Sequence, residues 1–110
     1  MTGYGMSAMD GRGRISDRVL TAVLAWTPGT ALTATTTPDG VITLAPEPDG
    51  RVHLPHENTL RLPADIRHRC RLHAGDRLLL LADPEHNQLR LYPPTVLDEL
   101  LNRHLAGPRR

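Results

Sequence analysis

The chain of 110 residues has no lysine and no phenylalanine, and it contains one cysteine, one tryptophan and two tyrosines. A single cysteine, Cys70, excludes an internal disulfide, so the chain is not a disulfide scaffold of the secreted type. Three aromatic residues are too few for a surface that stacks single-stranded bases. No segment has the roughly 20 apolar residues that cross a bilayer. The start, MTGYGMSAMD, lacks the charged and apolar regions of a signal peptide. We therefore expect a soluble cytoplasmic protein without a membrane partner.

The length allows one compact domain with a modest core, or two small units that share a core. Residues 59–62 alternate as a short strand, and Pro63 suits the first position of a helix. In that helix Ile66 and Cys70 share one face, and Arg67 and Arg71 share another. The sequence then predicts a turn over 73–76, a strand over 77–82, a turn over 83–88 and a strand over 89–92.

An earlier stretch, 14–46, follows the same plan as 61–93. Arg14 corresponds to Arg61 and Pro46 to Pro93 at an offset of 47 residues. Such a period indicates one supersecondary unit used twice, with neither copy able to close a core alone. Chance similarity between two strand, helix and hairpin stretches is the alternative. The predicted organisation is a flexible N-terminus (1–7), a degenerate first repeat (8–46), a linker (47–51), a second repeat (52–93) and a C-terminal helix (94–107).

The stretch LRLPADIRHRCRLHAGDRLLLL, residues 60–81, resembles the AbrB/MazE/SpoVT family of swapped-hairpin DNA-binding domains. The shared pattern is an arginine, an apolar residue and proline, a short helix with Ile-Arg, then Gly-Asp and an apolar strand. The first copy departs from it, with Ser16 in place of the proline and Leu20 in place of the helix arginine. The resemblance implies a mainly β fold with short helices, an AbrB-like β-barrel of two tandem repeats plus a C-terminal amphipathic helix. It also implies either a homodimer or one chain that closes as a pseudo-dimer.

Every basic residue other than histidine is arginine, and the arginines are unevenly placed. Residues 61–77 hold five arginines and two aspartates, whereas 14–30 hold two arginines and one aspartate. Arginine forks suit phosphates and guanine edges of double-stranded DNA, although such residues can also merely solvate a helix face. Helix geometry favours Arg67 and Arg71, and the resemblance adds Arg61 and Arg14. The full predicted DNA-binding set is Arg12, Arg14, Arg61, Arg67, Arg69 and Arg71.

Other chemistries are disfavoured by spacing. Four histidines, at 53, 56, 68 and 73, accompany Cys70, but they lack the paired spacing of zinc ligands. Ser7 and Ser16 have no nucleophile elbow, so we expect neither an enzyme nor a metal or other cofactor. Near the C-terminus an apolar stripe is typical of a helix that docks on its own domain, or of a partner or oligomer contact. Its members are Val96, Leu97, Leu100, Leu101 and Leu105.

These observations predict a DNA-binding transcriptional regulator of the AbrB-like type, nucleoid-associated, that occupies promoter DNA through its arginines. One alternative is the antitoxin of a toxin-antitoxin pair, with a cognate toxin as a second partner. The other alternative is a protein-interaction module that does not bind DNA.

Overall fold

A computed structural model describes residues 3–54 and 58–106 of the chain. Within those ranges it has eight strands and three helices. In chain order they are β1 (Gly3–Ala8), β2 (Arg14–Ser16), α1 (Val19–Ala22), β3 (Ala31–Thr36), β4 (Ile42–Pro46), β5 (Val52–His53), β6 (Thr59–Arg61), α2 (Ala64–Arg69), β7 (Arg77–Asp83), β8 (Gln88–Tyr92) and α3 (Pro94–Ala106).

The mainly β class is confirmed, as are the elements predicted between residues 59 and 92. The C-terminal helix is confirmed from Pro94 to Ala106, while residue 107 lies outside the described residues. One order of elements occurs twice in the chain: two strands, a short helix and a hairpin. It runs first through β1, β2, α1, β3 and β4, and then through β5, β6, α2, β7 and β8.

Six strands form one curled antiparallel sheet in the order β1-β7-β8-β4-β3-β5, and β2 pairs with β6 in a separate ribbon. The sheet is two-sided because its strands alternate: Leu78, Leu80 and Ala82 of β7 are buried, whereas Leu79 and Leu81 between them are only half-buried. This period of two directs every second side chain into the core. Gly40, with φ of 94°, supports the turn between β3 and β4.

The strand order has the same pattern from either end. β1 and β5 are the two edges, β7 and β3 come next, and β8 and β4 meet at the centre. Thr43 pairs with Arg90 there, and Arg14 pairs with Arg61 in the ribbon; both pairs join residues 47 apart. The ribbon contacts both sheet edges, since β2 touches β1 and β6 touches β5. The ribbon therefore bridges the open side of the sheet and gives a barrel-like shape.

The prediction of a flexible N-terminus over 1–7 was wrong for residues 3–7. Gly3 to Ala8 pair in full register with Ala82 to Arg77 of β7. A Cβ on Gly5 would overlap the carboxylate of Asp17, and a Cβ on Gly3 would lie 2.5 Å from Val23. The glycines that make this segment look unstructured are the positions at which the α1 region packs closely against β1.

The core draws on both halves of the chain. Ile15, Leu20 and Leu44 of the first half pack in one cluster with Leu60 and Leu80 of the second. We find no helix, in the part of the chain described, with the length and apolarity needed to span a membrane.

Candidate nucleic-acid interface

The β2–β6 ribbon has one apolar face and one polar face. Ile15 and Leu60 are paired and almost fully buried beneath it. Because residues directly opposite each other in an antiparallel pair project to the same side, the neighbouring pairs lie on the outer face. Arg14 is thus opposite Arg61, and Ser16 is opposite Thr59. The outer face of the ribbon carries two guanidinium groups and two hydroxyl groups.

Asp10 organises the loop that leads into β2. Its Oδ1 accepts hydrogen bonds from the backbone N–H groups of Arg12 and Arg14, at 2.8 and 2.9 Å. Its Oδ2 lies 2.7 Å from Nε of Arg14. The backbone and side-chain hydrogen bonds from Arg14 lower the pKa of Asp10 to about 2. The carboxylate is therefore ionised at neutral pH, and it orients one edge of the Arg14 guanidinium.

Two further arginines are held by main-chain carbonyls. Arg61 donates from Nε to the carbonyl of Arg12 at 2.9 Å, and Arg67 donates from Nε to the carbonyl of Leu62 at 3.0 Å. Both side chains are therefore oriented through Nε, and their Nη groups have no partner among the described residues.

Gly13 explains how Arg67 reaches the ribbon. It has φ of 78°, and a Cβ there would lie 2.6 Å from Nε of Arg67. The Arg67 side chain therefore crosses directly over the glycine backbone. This contact joins the start of α2 to the 10–14 loop and brings together Arg12, Arg14, Arg61 and Arg67. We call these four residues the arginine face.

Arg69 and Arg71 lie elsewhere. Nη1 of Arg69 is 3.4 Å from Oγ1 of Thr36, at the end of β3. The prediction that Arg67 and Arg71 share a helix face was wrong, because α2 ends at Arg69 and Arg71 has φ of 54°. Arg71 occupies the left-handed position after the helix, and the N–H of Leu72 closes the end on the carbonyl of Arg67.

The first half has no equivalent of Arg67. Leu20, at the same offset of 47 residues, is fully buried in the core. Sequence reasoning missed Arg51, which was assigned to a linker but lies beside Arg61 and Arg67 and pairs with Asp65. Local sequence has no signal that singles it out, because no arginine lies between Arg18 and Arg61 apart from Arg51, and its neighbourhood, PEPDGR, reads as a turn.

Cys70 is partly buried against the core, and this burial raises the pKa of its thiol. Of the four histidines, His56 lies outside the described residues. Asp83, Glu85 and His86 bring ligand atoms within 4.8 Å of one another, but they lie on the β7–β8 turn. There Nδ1 of His86 contacts the Asp83 carboxylate at 2.7 Å, which accounts for the grouping.

The apolar stripe of α3 is progressively uncovered along the helix. Val96 is buried, whereas Leu100, Leu101 and Leu105 are 38%, 50% and 78% exposed. Only the first turn of α3 therefore docks on the domain through the stripe. The remaining leucines present an apolar surface to solvent.

The arginine face has groups suited to binding rather than to covalent chemistry, because guanidinium groups donate hydrogen bonds and carry fixed charge. The hydroxyls of Ser16 and Thr59 contact each other at 3.1 Å. No protein-family model matches the chain, and no curated protein matches it significantly. Its function is therefore inferred from these side chains.

Proposed function

We propose that the chain is a double-stranded DNA-binding regulator of the AbrB-like type, in which two swapped-hairpin repeats close one barrel. Three features support the duplication: the repeated order of elements, the matching strand order from either edge, and two strand pairings at an offset of 47 residues, one at the centre of the sheet and one in the ribbon. Each hairpin also pairs with the edge strand of the other half, β1 with β7 and β5 with β3.

The observation that carries the DNA proposal is the direct pairing of Arg14 with Arg61 on the outer face of the ribbon. Like charges directly opposite each other in a sheet destabilise it. The carboxylate of Asp10 compensates the charge of Arg14. The charge of Arg61 is not compensated in this way, because its Nε donates to a neutral carbonyl. A phosphate backbone supplies the missing negative charge, and its release of counterions drives binding.

The arrangement also suggests how the chain is positioned on DNA. The Nε atoms of Arg61 and Arg67 are held by hydrogen bonds within the protein. Their Nη groups are then available to bind phosphate oxygens or the O6 and N7 atoms of guanine. The Ser16 and Thr59 hydroxyls add short donors to phosphate. With Leu20 buried at the position equivalent to Arg67, one chain presents one arginine face, so a two-site operator requires two chains. The exposed leucines of α3 are the surface we propose for that contact.

The experiment is fluorescence anisotropy with a labelled duplex of random sequence and with genomic duplexes, over a series of salt concentrations. We expect the affinity for DNA to fall steeply as the salt concentration rises. In the double variant Arg61→Gln and Arg67→Gln, the slope of log affinity against log salt concentration should be smaller by about two. The charge-matched control is the pair Arg90→Gln and Arg103→Gln, in β8 and α3. Absence of binding even at low salt contradicts the proposal, as does an equal loss of slope in the control.

The exposed stripe of α3 favours one second candidate, a protein partner such as the toxin of an antitoxin pair. Leu101→Glu and Leu105→Glu would then abolish co-purification with the product of a neighbouring gene while leaving DNA affinity unchanged. Light scattering of the same variant separates this outcome from self-association, because loss of a dimer would appear without any partner.

A further inference from the structure

Beside the arginine face lies a recess of about 490 Å³ between β5, the end of β6 and the start of α2. Its polar lining comes from His53 and from three arginines, Arg51, Arg61 and Arg67, and its floor includes Val52 and Leu62. The volume falls within the roughly 300–1,000 Å³ of small-ligand clefts. We infer that this recess is a phosphate subsite, which takes either a backbone phosphodiester of bound DNA or a free polyphosphate.

Three cations from separate elements converge on the recess. Arg51 precedes β5, Arg61 ends β6 and Arg67 lies in α2. Arg61 and Arg67 are oriented by hydrogen bonds from their Nε atoms. Nη2 of Arg51 donates to the carboxylate of Asp65 and lies 3.1 and 3.4 Å from its two oxygens. A planar carboxylate cannot accept bidentate hydrogen bonds from three guanidinium groups at once. The oxygens of a phosphate can be approached from several sides, so a phosphate suits this arrangement better.

The backbone before Arg51 is held in place by hydrogen bonds and close packing. The N–H of Gly50 bonds the carbonyl of Glu47, and the N–H of Glu47 bonds Ala31 in β3. A Cβ on Gly50 would overlap the backbone of Leu32. The turn before Arg51 is therefore seated tightly on β3, which fixes where this arginine begins.

The first half shows that the fold does not require this charge, because Leu20, at the position equivalent to Arg67, is buried in the core. A recess of about 340 Å³ lies between β1 and α1, and its charged lining is Asp17 and Arg18, one of each sign. Tyr4 and Gly3 of β1 complete the wall of this recess. The concentration of arginine in the second recess is thus specific to that half.

Asp65 acts as an internal competitor for the incoming anion. Arg51 and Asp65 are 66% and 55% exposed, so their ion pair is weakly held and can be exchanged for a ligand oxygen. The hydrogen bond from Arg51 lowers the pKa of Asp65, so the carboxylate is ionised at neutral pH. Removal of this charge would therefore strengthen phosphate binding.

The test uses pyrophosphate as the probe, by calorimetry and by amide chemical shifts of the whole chain at constant ionic strength, with sodium chloride as the reference salt. We expect Arg51→Gln to weaken pyrophosphate binding about tenfold or more and Asp65→Asn to tighten it about threefold, from the strength of charged hydrogen bonds. Arg90→Gln is the control for loss of one charge, and thermal melts verify that each variant folds.

The DNA arm of this inference rests on the proposed function, and the two can fail separately. Two results together would identify a backbone phosphate as an occupant of the recess. In Arg51→Gln the slope of log DNA affinity against log salt concentration would fall by about one, and pyrophosphate would compete with DNA for binding. Pyrophosphate binding without DNA binding supports the subsite and contradicts the proposed function. If Arg51→Gln matches Arg90→Gln for both ligands, the subsite is overturned, even where DNA still binds the arginine face.

Discussion

The two halves of the chain share an order of elements but differ in charge. At equivalent places the second half has an oriented Arg67 and the first half has a buried Leu20. The second edge strand carries His53 and follows Arg51, whereas the first carries exposed Tyr4 and Met6. Since both halves complete the same core, the fold does not require the arginines. Their concentration in one half is best explained by a ligand, and we propose that this ligand is DNA.

The largest changes in stability are expected when the residues at the equivalent positions 20 and 67 are exchanged. Leu20→Arg would place an unpaired charge in the core, and we expect it to cost about 4 kcal/mol or more, enough to unfold much of the population. Arg67→Leu loses one hydrogen bond to the Leu62 carbonyl, so it should cost only about 1 kcal/mol while weakening DNA binding. Chemical denaturation measures both. Equal losses of stability would contradict the contrast between the halves.

Gly13 tests whether close approach of Arg67 matters. Gly13→Ala combines a positive φ with a contact on Arg67, so we expect it to lower the free energy of unfolding by about 1–3 kcal/mol and to weaken DNA binding. Gly29→Ala is the matched control, because Gly29 also has a positive φ, 90°, but a Cβ there meets nothing within 4 Å. Indistinguishable melting temperatures for the two variants would show that Arg67 does not depend on this glycine.

Asp10 distinguishes Arg14 from Arg61, and its effect depends on pH. The pKa of its carboxyl is about 2 in the fold, below the roughly 3.9 of an unfolded chain. The stabilisation is therefore complete above about pH 5 and is lost as the pH falls from about 4 to about 2. Asp10→Asn should be less stable than the wild type at pH 7, and the difference should shrink through that acid range in a denaturation series. A difference that persists at pH 2 would contradict this assignment.

The smallest effect is expected at Cys70. Its counterpart at the offset of 47 residues is Val23, and both side chains pack partly buried against the core. Cys70→Val should therefore change stability by less than about 1.5 kcal/mol, as volume-conserving exchanges do. The raised pKa of the thiol also predicts slow alkylation in the native state. Rapid labelling at neutral pH would show that Cys70 is not held as described.

Local patterns were sufficient for much of the fold. A run of apolar residues indicated β7, alternation of apolar and polar residues indicated β8, and the position of Pro63 indicated the start of α2. Features that depend on distant contacts were missed. β1 is stable because α1 packs against its glycines, and Arg67 reaches the ribbon because Gly13 leaves room. Neither contact has a signal in sequence spacing.

The candidate site was predicted by composition more than by position. Arg14 and Arg61 are paired across the ribbon, and Arg12 and Arg67 join them. Arg69 is separated from this group because it lies two residues after Arg67 in α2 and therefore on another face of the helix. Arg71 is separated because α2 ends at Arg69. Arg51 was missed because a turn-like segment gives no sign of the recess that it lines.

The most direct test of the central claim is an amide chemical-shift titration of the whole chain with a duplex of about 20 base pairs at low salt. We predict shifts concentrated at residues 10–16 and 59–67 and at 51–53, with little change in α1 and the β4–β8 centre of the sheet. Shifts of equal size around α1 and α2 would contradict the claim that the interface consists of the ribbon and the α2 side of the domain. Shifts confined to α3, or none at all, would contradict DNA binding by the arginine face.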